Sequence, residues 1–395
     1  MSDLPAVGLL GIASGLQAAL LGVGIVLIYR ANRFINFAQG QMGSIASAVL
    51  AMLVFRFSFP YWVALPVALV FGAATGAGVE RLLGWRLFDK SRLVLVVATI
   101  GISQVILLLL LVGPLKVDPG RLAADGFPEP FDTQWTLGSA VLTSSQILTI
   151  IVAPLIAIGL WALLTRTRTG QAIRGAASNP DAARLAGISV RRVSLIVWTI
   201  AGLISSVAAI LFAPTQPAIG FNDSGPGLLL RGLAAALLAG MVDFRIAVAA
   251  GIGIGILEQT TVFYTSTPGL TDLVLAVAVA VGLLLRARVL QRDSRSEDRL
   301  VVERSVPALP ERVRHLVAVR HLGGVGWAVL FGVMALAPLF PGLDTQERAV
   351  FLVFMVSYAM VGMALTAPGC GWTRTAARRS RASPASGAWR RRWPS

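Results

Sequence analysis

Two polar side chains, Glu258 and Gln104, stand inside long apolar runs of the sequence. An ionisable group at membrane depth is energetically costly, so its presence indicates a route for a solute or a coupling ion. Asn36 and Gln39 form a second polar group, between two apolar runs. We interpret these four residues as candidates for a translocation path. The alternatives are that Glu258 only lines a water-accessible cleft and that Asn36 and Gln39 form a polar turn.

Residues for catalysis or for metal binding are scarce. The only cysteine is Cys370, and the two histidines, His315 and His321, lie in a basic segment without a carboxylate cluster beside them. No run of the form G-x-x-x-x-G-K-[ST] is present, so the sequence has no phosphate-binding loop for ATP. We therefore predict no catalytic residues, no cofactor and no metal site. An intramembrane enzyme is disfavoured, because no histidine falls in a predicted span.

The composition indicates a membrane protein. Of the 395 residues, 56% are hydrophobic and only 13% are charged, and the mean hydropathy is +0.76. Soluble domains carry about 25% charged residues. The net charge of +15 would by itself suggest nucleic acid. The basic residues cluster between apolar runs, however, so we predict the lipid bilayer as partner and no nucleic acid.

A membrane span needs about 20 apolar residues. The sequence predicts an all-α, polytopic membrane helix bundle, with about eight or nine spans in the first 290 residues and two further spans. The candidates lie near 7–29, 41–57, 61–82, 93–114, 146–165, 193–213, 228–242, 246–264, 269–285, 323–341 and 347–366. The seventh is short and contains Arg231, so the seventh and eighth are alternatively a re-entrant pair. Gly11–Gly15, Gly72–Gly76 and Gly251–Gly255 have the spacing of close helix contacts.

Orientation follows from the basic residues of the loops, which face the cytoplasm in excess. The loops on one side (30–40, 81–92, 165–192, 243–245 and 286–320) hold 22 lysines and arginines, whereas those on the other side hold four. We predict a multi-pass protein of the cell (inner) membrane with its N-terminus outside.

The cytoplasmic loop 165–192 contains signals for a short helix. Asn179 suits the N-cap, and Pro180 suits the first helical position, where the missing N–H costs nothing. Asp181 in the first turn is favourable to the helix dipole, and Gly187 suits the left-handed position that ends a helix. The sequence predicts a capped, alanine-lined helix that fits a groove on a partner protein.

This loop resembles the coupling segment of ABC importer permeases of the branched-chain amino-acid (LivH) family, G-x-A-x-R-A-x-A-x-D-P-x-A-A-x-L-x-G-I. The residues implied to contact the ATPase are Gly170, Ala172, Arg174, Ala177, Asn179, Asp181, Ala182, Ala183, Leu185 and Gly187. Residues 32–40 are similar to the family's V-I-N-F-A-H-G segment, with Gln39 in place of the histidine, and residues 97–103 are similar to its A-T-I-G-x-S segment.

The resemblance covers about residues 5–290 and implies a permease subunit for branched-chain amino acids or related small polar solutes. It implies three kinds of protein partner: cytoplasmic ABC ATPase subunits, an external substrate-binding protein and a second permease subunit. An ion-coupled secondary transporter is the alternative from another class. That class is expected to carry buried carboxylates, and only Glu258 qualifies.

The character of the sequence changes after the LivH-like permease domain, 1–290. Residues 291–315 are predicted to be a cytoplasmic basic linker, and residues 316–366 look like the start of a LivM-type permease. Residues 367–395 contain no Leu, Ile, Val, Lys or acidic residue. Our hypothesis is that the reading frame is disrupted near Thr366. The alternative is a genuine basic, disordered tail that contacts anionic lipid headgroups.

Overall fold

A computed structural model of the chain describes residues 4–86, 92–111, 115, 117–131, 135–137, 140–215, 224–265, 270 and 273–284. The helices of these residues are α1 (Leu4–Asn32), α2 (Gln39–Phe57), α3 (Tyr61–Arg86), α4 (Arg92–Leu111), α5 (Pro119–Asp125), α6 (Ser144–Arg166), α7 (Arg168–Ser178), α8 (Pro180–Leu185), α9 (Val190–Phe212), α10 (Ser224–Leu238), α11 (Phe244–Tyr264) and α12 (Leu273–Leu284). Strands β1 (Trp135–Leu137) and β2 (Ala140–Leu142) pair antiparallel, with Thr136 opposite Val141.

Six helices of the described residues are long and apolar enough to cross a membrane: α1, α2, α3, α6, α9 and α11. Shorter apolar helices lie at Val94–Leu110 within α4, Gly225–Leu238 within α10, and α12. The prediction of an all-α, polytopic helix bundle is thereby confirmed. The regions 291–315, 316–366 and 367–395, with the last two predicted spans, lie outside the described residues.

The predicted seventh and eighth spans have different lengths in the structure. Helix α11 has 21 residues and is long enough to span. Helix α10 has 15 residues, about 22 Å at 1.5 Å per residue, which is less than the roughly 30 Å of hydrocarbon. It ends in a tight turn, where Met241 N–H bonds to the Ala236 carbonyl at 2.9 Å and Gly240 has a φ of 64°. Such 6→1 bonds close helices through a left-handed residue.

Helix α1 lies at the centre of the bundle. It packs against α6, α9, α10 and α11, and most of its span is buried. Its sequence has apolar residues on every face, which is typical of a helix surrounded by others. Helices α6, α9, α10 and α11 are therefore arranged around α1, and α3 packs against α2 and α9.

Glycines at the spacings that predicted close helix contacts lie where two helices touch. A Cβ added at Gly255 of α11 would lie 2.2 Å from the backbone N of Gly15 and 2.3 Å from the carbonyl of Gly11, both on α1. A Cβ at Gly76 of α3 would lie 2.2 Å from the carbonyl of Trp198 on α9. The backbones thus touch, as small residues allow in membrane helix pairs.

The outer surface of the bundle is apolar. On α6, Ile151, Leu155 and Ile158 recur at helical spacing and are all exposed, and Val67 and Val70 of α3 are exposed in the same way. Contiguous exposed apolar surface of this kind is not found on monomeric proteins in water. It is the surface expected against lipid.

Candidate functional site

Residues 33–38, between α1 and α2, form a non-helical segment that enters the bundle after the exposed Arg33. Asn36 within it and Gln39 at the start of α2 are both fully buried. Gln39 Nε2 donates to the carbonyl of Ala201, near the middle of α9, at 3.0 Å, and Ser205 Oγ donates to the Gln39 carbonyl at 2.5 Å. Helix α2 therefore begins beside the middle of α9, and the second half of the predicted loop 30–40 lies within the bundle.

The polar side chains of this segment provide partners for its backbone. Asn36 Oδ1 accepts a bond from the N–H of Ala38 at 3.0 Å, and Asn36 Nδ2 donates to Gln39 Oε1 at 3.1 Å. The N–H of Phe37 donates to Thr99 Oγ1 of α4 at 3.2 Å. Non-helical backbone at membrane depth is tolerated where it is buried in protein and its polar groups are satisfied. The segment meets this requirement through three side chains: Asn36 accepts a bond from Ala38, Thr99 accepts one from Phe37, and Gln39 accepts one from Asn36.

Thr99 belongs to the segment 97–103, which together with the segment 32–40 carried part of the family resemblance. The structure brings these two segments into contact through the Phe37–Thr99 bond. Sequence reasoning missed this contact, because 62 residues separate the partners and neither segment indicates the other. The hydroxyl of Thr99 thus has a role in holding the two segments together.

The predicted short helix is present as α8. The Asn179 side chain accepts bonds from the N–H groups of Asp181 and Ala182 at 3.1 and 3.0 Å, and Pro180 is the first helical residue. Gly187 has a φ of 78°, and the N–H of Ile188 bonds to the Ala183 carbonyl at 2.9 Å. The predicted caps at both ends are confirmed.

A second helix, α7, precedes α8 and was not predicted. The Thr167 side chain caps it by accepting a bond from the N–H of Gly170 at 3.0 Å. Its buried face consists of Gly170, Ile173 and Ala176. The sequence signal was an apolar residue every third position, which is short and directly follows the span of α6. The segment 168–187 is therefore a two-helix element held against the ends of the spans.

The residues predicted to contact the ATPase divide into three sets: buried, half-buried and exposed. Gly170 and Ala183 are buried, and Ala183 is only 5% exposed. Ala172, Arg174 and Ala177 of α7 are half-buried, and Arg174 Nη1 donates to the Leu164 carbonyl at the end of α6. The exposed set comprises Asn179, Asp181, Ala182, Leu185 and Gly187. Leu185, at 91% exposure, presents an apolar side chain to the surroundings.

Arg33, the exposed first residue of the segment 33–38, connects this segment to α7. Its guanidinium donates to the carbonyl of Ala177, in the last turn of α7, at 3.1 Å. Arg33 itself adopts a left-handed conformation with a φ of 58°, which is uncommon for a residue other than glycine. The contact places the C-terminal end of α7 next to the segment that contains Asn36.

Glu258 lines a cleft of about 170 Å³ between α1, α6, α9, α10 and α11. Its carboxylate forms an ion pair with Arg231 of α10, with Nε–Oε2 and Nη2–Oε1 distances of 2.9 and 2.5 Å. Sequence reasoning had identified Arg231 only as a defect in a weak span. Opposite charges in consecutive apolar helices were the signal that would have predicted the pair. Gln104 does not line this cleft and lies on an exposed face of α4.

Comparison with known proteins places residues 9–285 in the family described as "Branched-chain amino acid transport system / permease component". The LivH high-affinity branched-chain amino acid permease protein of Escherichia coli K12 is 26% identical over 299 residues, covering 71% of this chain and 94% of that protein. The probable LivH protein of Methanocaldococcus jannaschii is 26% identical over 273 residues, covering 69% and 82%.

A relative named for a different solute is also similar. The autoinducer 2 import system permease protein LsrC of Enterobacter sp. 638 is 29% identical over 231 residues, covering 58% of this chain and 62% of that protein. Among solved structures, PsaBC from Streptococcus pneumoniae in complex with Fab has a TM-score of 0.41 and 15% identity, and covers 72% of this chain and 91% of that one. That likeness is too weak to support an inference.

Proposed function

This chain belongs to the family of permease components of branched-chain amino-acid transport systems. From that premise we propose which solute it carries, which proteins it binds and what its polar residues do. It is a multi-pass inner-membrane permease subunit of an ABC importer, and it is not an enzyme. ATP hydrolysis takes place in a partner subunit. Membership of this family disfavours the ion-coupled secondary transporter.

We propose that the solute is a branched-chain amino acid or a related small polar solute. Relatives named for branched-chain amino acids support this, whereas LsrC is named for autoinducer 2. A competition assay tests this assignment of the solute. Unlabelled leucine should suppress uptake of labelled valine by the complete importer. Uptake that no branched-chain amino acid suppresses would refute the assignment.

The two-helix element α7–α8 is proposed as the contact with the ATPase subunit. The observation that carries this is Leu185, an apolar side chain at 91% exposure on a helix whose both ends are capped. When a fully exposed leucine enters an apolar pocket on a partner, its removal from water stabilises the complex. Complete burial of the side chain contributes roughly 1.5–3 kcal/mol. Next to it, Arg184 and Asp181 form an exposed ion pair at 3.2 Å.

The test is Leu185→Glu, because a carboxylate in an apolar pocket abolishes the contact without disturbing residues inside the permease. The matched control is Leu185→Met, which keeps the size and apolar character. With the ATPase subunits of its importer co-expressed, Leu185→Glu should lose their co-purification while the protein remains in the membrane. Co-purification equal to that of Leu185→Met would refute the contact. Ala183 is unsuitable for this test, because its side chain packs inward.

A second permease subunit and an external substrate-binding protein are proposed as the other partners. One α7–α8 element serves one ATPase, and an importer with two ATPases requires two such elements. We expect the chain, with its ATPases and binding protein but no other permease, to give only background uptake in vesicles. Robust ATP-dependent accumulation in that assay would show that two copies of this chain suffice.

The role of Asn36, Gln39, Gln104 and Glu258 in a translocation path stays a prediction. Asn36 and Gln39 are fully buried, so a solute reaches them only if α2 and α9 move apart. Replacement of Gln39 with Leu keeps its approximate size and removes its bonds to α9. Unchanged uptake by that variant would exclude Gln39 from the path.

For the rest of the chain we propose a basic cytoplasmic linker at 291–315, the start of a LivM-type permease at 316–366, and a tail at 367–395 that arises from a lost reading frame. The proposal rests on the change of composition after Thr366. Resequencing of the locus tests it. An uninterrupted frame, with the same tail in the expressed protein, would refute the frame disruption.

A further inference from the structure

The cleft that contains Glu258 has a polar lining, part of which also holds the bundle together. Gln17 Nε2 donates to the Leu211 carbonyl at 2.9 Å, and Gln146 Oε1 accepts from the N–H of Thr143 at the start of α6, whereas Arg231 and Glu258 bond to each other. Its walls include Ser14 and Gln17 of α1, Gln146 of α6, Arg231 of α10, and Glu258 and Gln259 of α11. These residues come from four helices, and α9 completes the wall with Phe212. A volume of about 170 Å³ holds on the order of ten water molecules, since one water needs about 10–15 Å³ measured in this way. The cleft therefore has room for a small solute.

The ion pair is the main chemical feature of the cleft. Both side chains are partly accessible, Arg231 at 28% and Glu258 at 13%. Glu258 occupies two of the five N–H donors of the guanidinium, and the guanidinium also lies over the ring of Phe212 at 5.6 Å. The pair is thus fixed in position and directed toward an accessible space.

Charges at this position are not explained by stability. Replacing a buried ion pair by apolar residues of similar size is often neutral or stabilising, because both charges lose their hydration. Ionisable residues in membrane helices face a cavity or a partner and mark solute routes. The Arg231–Glu258 pair meets both conditions, since it bridges two helices and borders the cleft.

We propose that this cleft binds an amino acid with an apolar side chain as its zwitterion, with the carboxylate on Arg231 and the ammonium group on Glu258. A zwitterion replaces the two bonds that the ion pair loses when its partners separate, and the site stays neutral. Once the ion pair has separated, an anion alone leaves Glu258 without a partner, and a cation alone leaves Arg231 without one. A neutral solute leaves both charges unpaired. Phe212 and Leu228, the apolar lining residues, suit the side chain.

This inference rests on the proposed function, because it takes an amino acid as the solute. It adds the site, the two recognising charges and the requirement for a zwitterion. It also assigns a role to Arg231, whose guanidinium is held by Glu258 and Phe212 until a solute arrives.

Cysteine protection tests the proposal. Cys370→Ser removes the only cysteine, and Ser14→Cys then places a thiol in the cleft wall. A small methanethiosulfonate reagent is applied to the full chain in membrane vesicles, with Asp125→Cys outside the cleft as the matched control. Four probes are compared: leucine, isovalerate, isoamylamine and urea. They carry both charges, only the anion, only the cation, and no charge.

Leucine should slow modification of Ser14→Cys by a factor of about 1 + [leucine]/Kd, on the order of tenfold at about ten times Kd. The other three probes should leave the rate unchanged, and no probe should affect Asp125→Cys. Adding Arg231→Gln and Glu258→Gln together should abolish the protection. Absence of protection by leucine, equal protection by urea, or protection that persists in the double variant would each overturn the proposal.

The first comparison needs no change of the ion pair, so a failure of the double variant to fold does not affect it. The Leu185 co-purification experiment does not involve the cleft. Loss of ATPase binding in Leu185→Glu together with absent leucine protection would therefore refute the cleft proposal and leave the permease proposal intact.

Discussion

The backbone N–H of Phe37 and the hydroxyl of Thr99 form a hydrogen bond of 3.2 Å that joins the segment 33–38 to α4. The same hydroxyl donates to the carbonyl of Val96 at 2.7 Å, so Thr99 acts as donor and acceptor at once. Because Thr99 is fully buried, no water replaces it. The bond is one of several that hold this part of the chain within the bundle, together with those of Asn36 and Gln39.

Thr99→Val removes this acceptor with little change of shape. We expect a loss of about 1–3 kcal/mol in the free energy of unfolding, the penalty for one buried donor left unsatisfied. Thr75→Val is the matched control, because its hydroxyl bonds only to the Phe71 carbonyl of its own helix, at a more exposed position. Thermal unfolding in detergent measures both. Equal unfolding temperatures would contradict the role of Thr99.

Gly255→Ala should weaken the contact between α1 and α11. The added methyl group meets backbone atoms of Gly15 and Gly11 at 2.2 and 2.3 Å, and backbone has no other rotamer to adopt. Overpacking of this kind costs typically about 1–3 kcal/mol. Gly253→Ala is the control on the same helix, since no atom lies within 4 Å of its added Cβ. The unfolding temperature should fall only for Gly255→Ala, and a fall of equal size in both would argue against a backbone contact.

Arg33→Asn tests whether α7 is mechanically connected to the segment 33–38. Asparagine tolerates the left-handed backbone at this position and is too short to reach Ala177. Residues between two sites change coupling by about 0.5–2 kcal/mol, which corresponds to a roughly 2- to 30-fold change. Solute uptake per ATP hydrolysed should fall by a factor in this range, while the ATPase still co-purifies. Arg245→Ala, at an exposed position at the start of α11 and outside both α7–α8 and the segment 33–38, should leave the ratio unchanged.

The predicted orientation has a direct test. Ser178→Cys, at the exposed end of α7, should react with an impermeant thiol reagent only after the membrane is permeabilised. Thr136→Cys, in the exposed strand β1, should react in intact cells. Both are made in the Cys370→Ser background. Labelling of Ser178→Cys in intact cells would invert the topology and place the N-terminus inside.

Local signals were readable from the sequence, and distant ones were not. The caps of α8 were predicted because Asn179, Pro180 and Gly187 act on backbone groups within three residues of themselves. The ion pair of Arg231 and Glu258 and the position of Gln39 beside Ala201 depend on how helices pack. A hydropathy pattern predicts that a segment is buried, but it does not predict which helix packs against it.

Residues 30–40 show the same limit. Two arginines indicated a cytoplasmic loop, with Asn36 and Gln39 either on the translocation path or in a polar turn, and Arg33 is in fact exposed. Asn36 and Gln39 are buried and have hydrogen-bond partners inside the bundle: Asn36 bonds to the backbone of the segment and to Gln39, and Gln39 bonds to the Ala201 carbonyl of α9. Polarity alone does not distinguish a solvated turn from a buried one that is internally bonded.

The central position of α1 has a consequence for biogenesis. The ribosome releases α1 long before α11, yet α1 has its backbone contact with that late helix. Until those partners are made, α1 must be stable among lipid tails, where a charged side chain is costly. Its low content of charged residues therefore suits both this early exposure and its later burial, and Gly11 and Gly15 keep the place where α11 packs free of side chains.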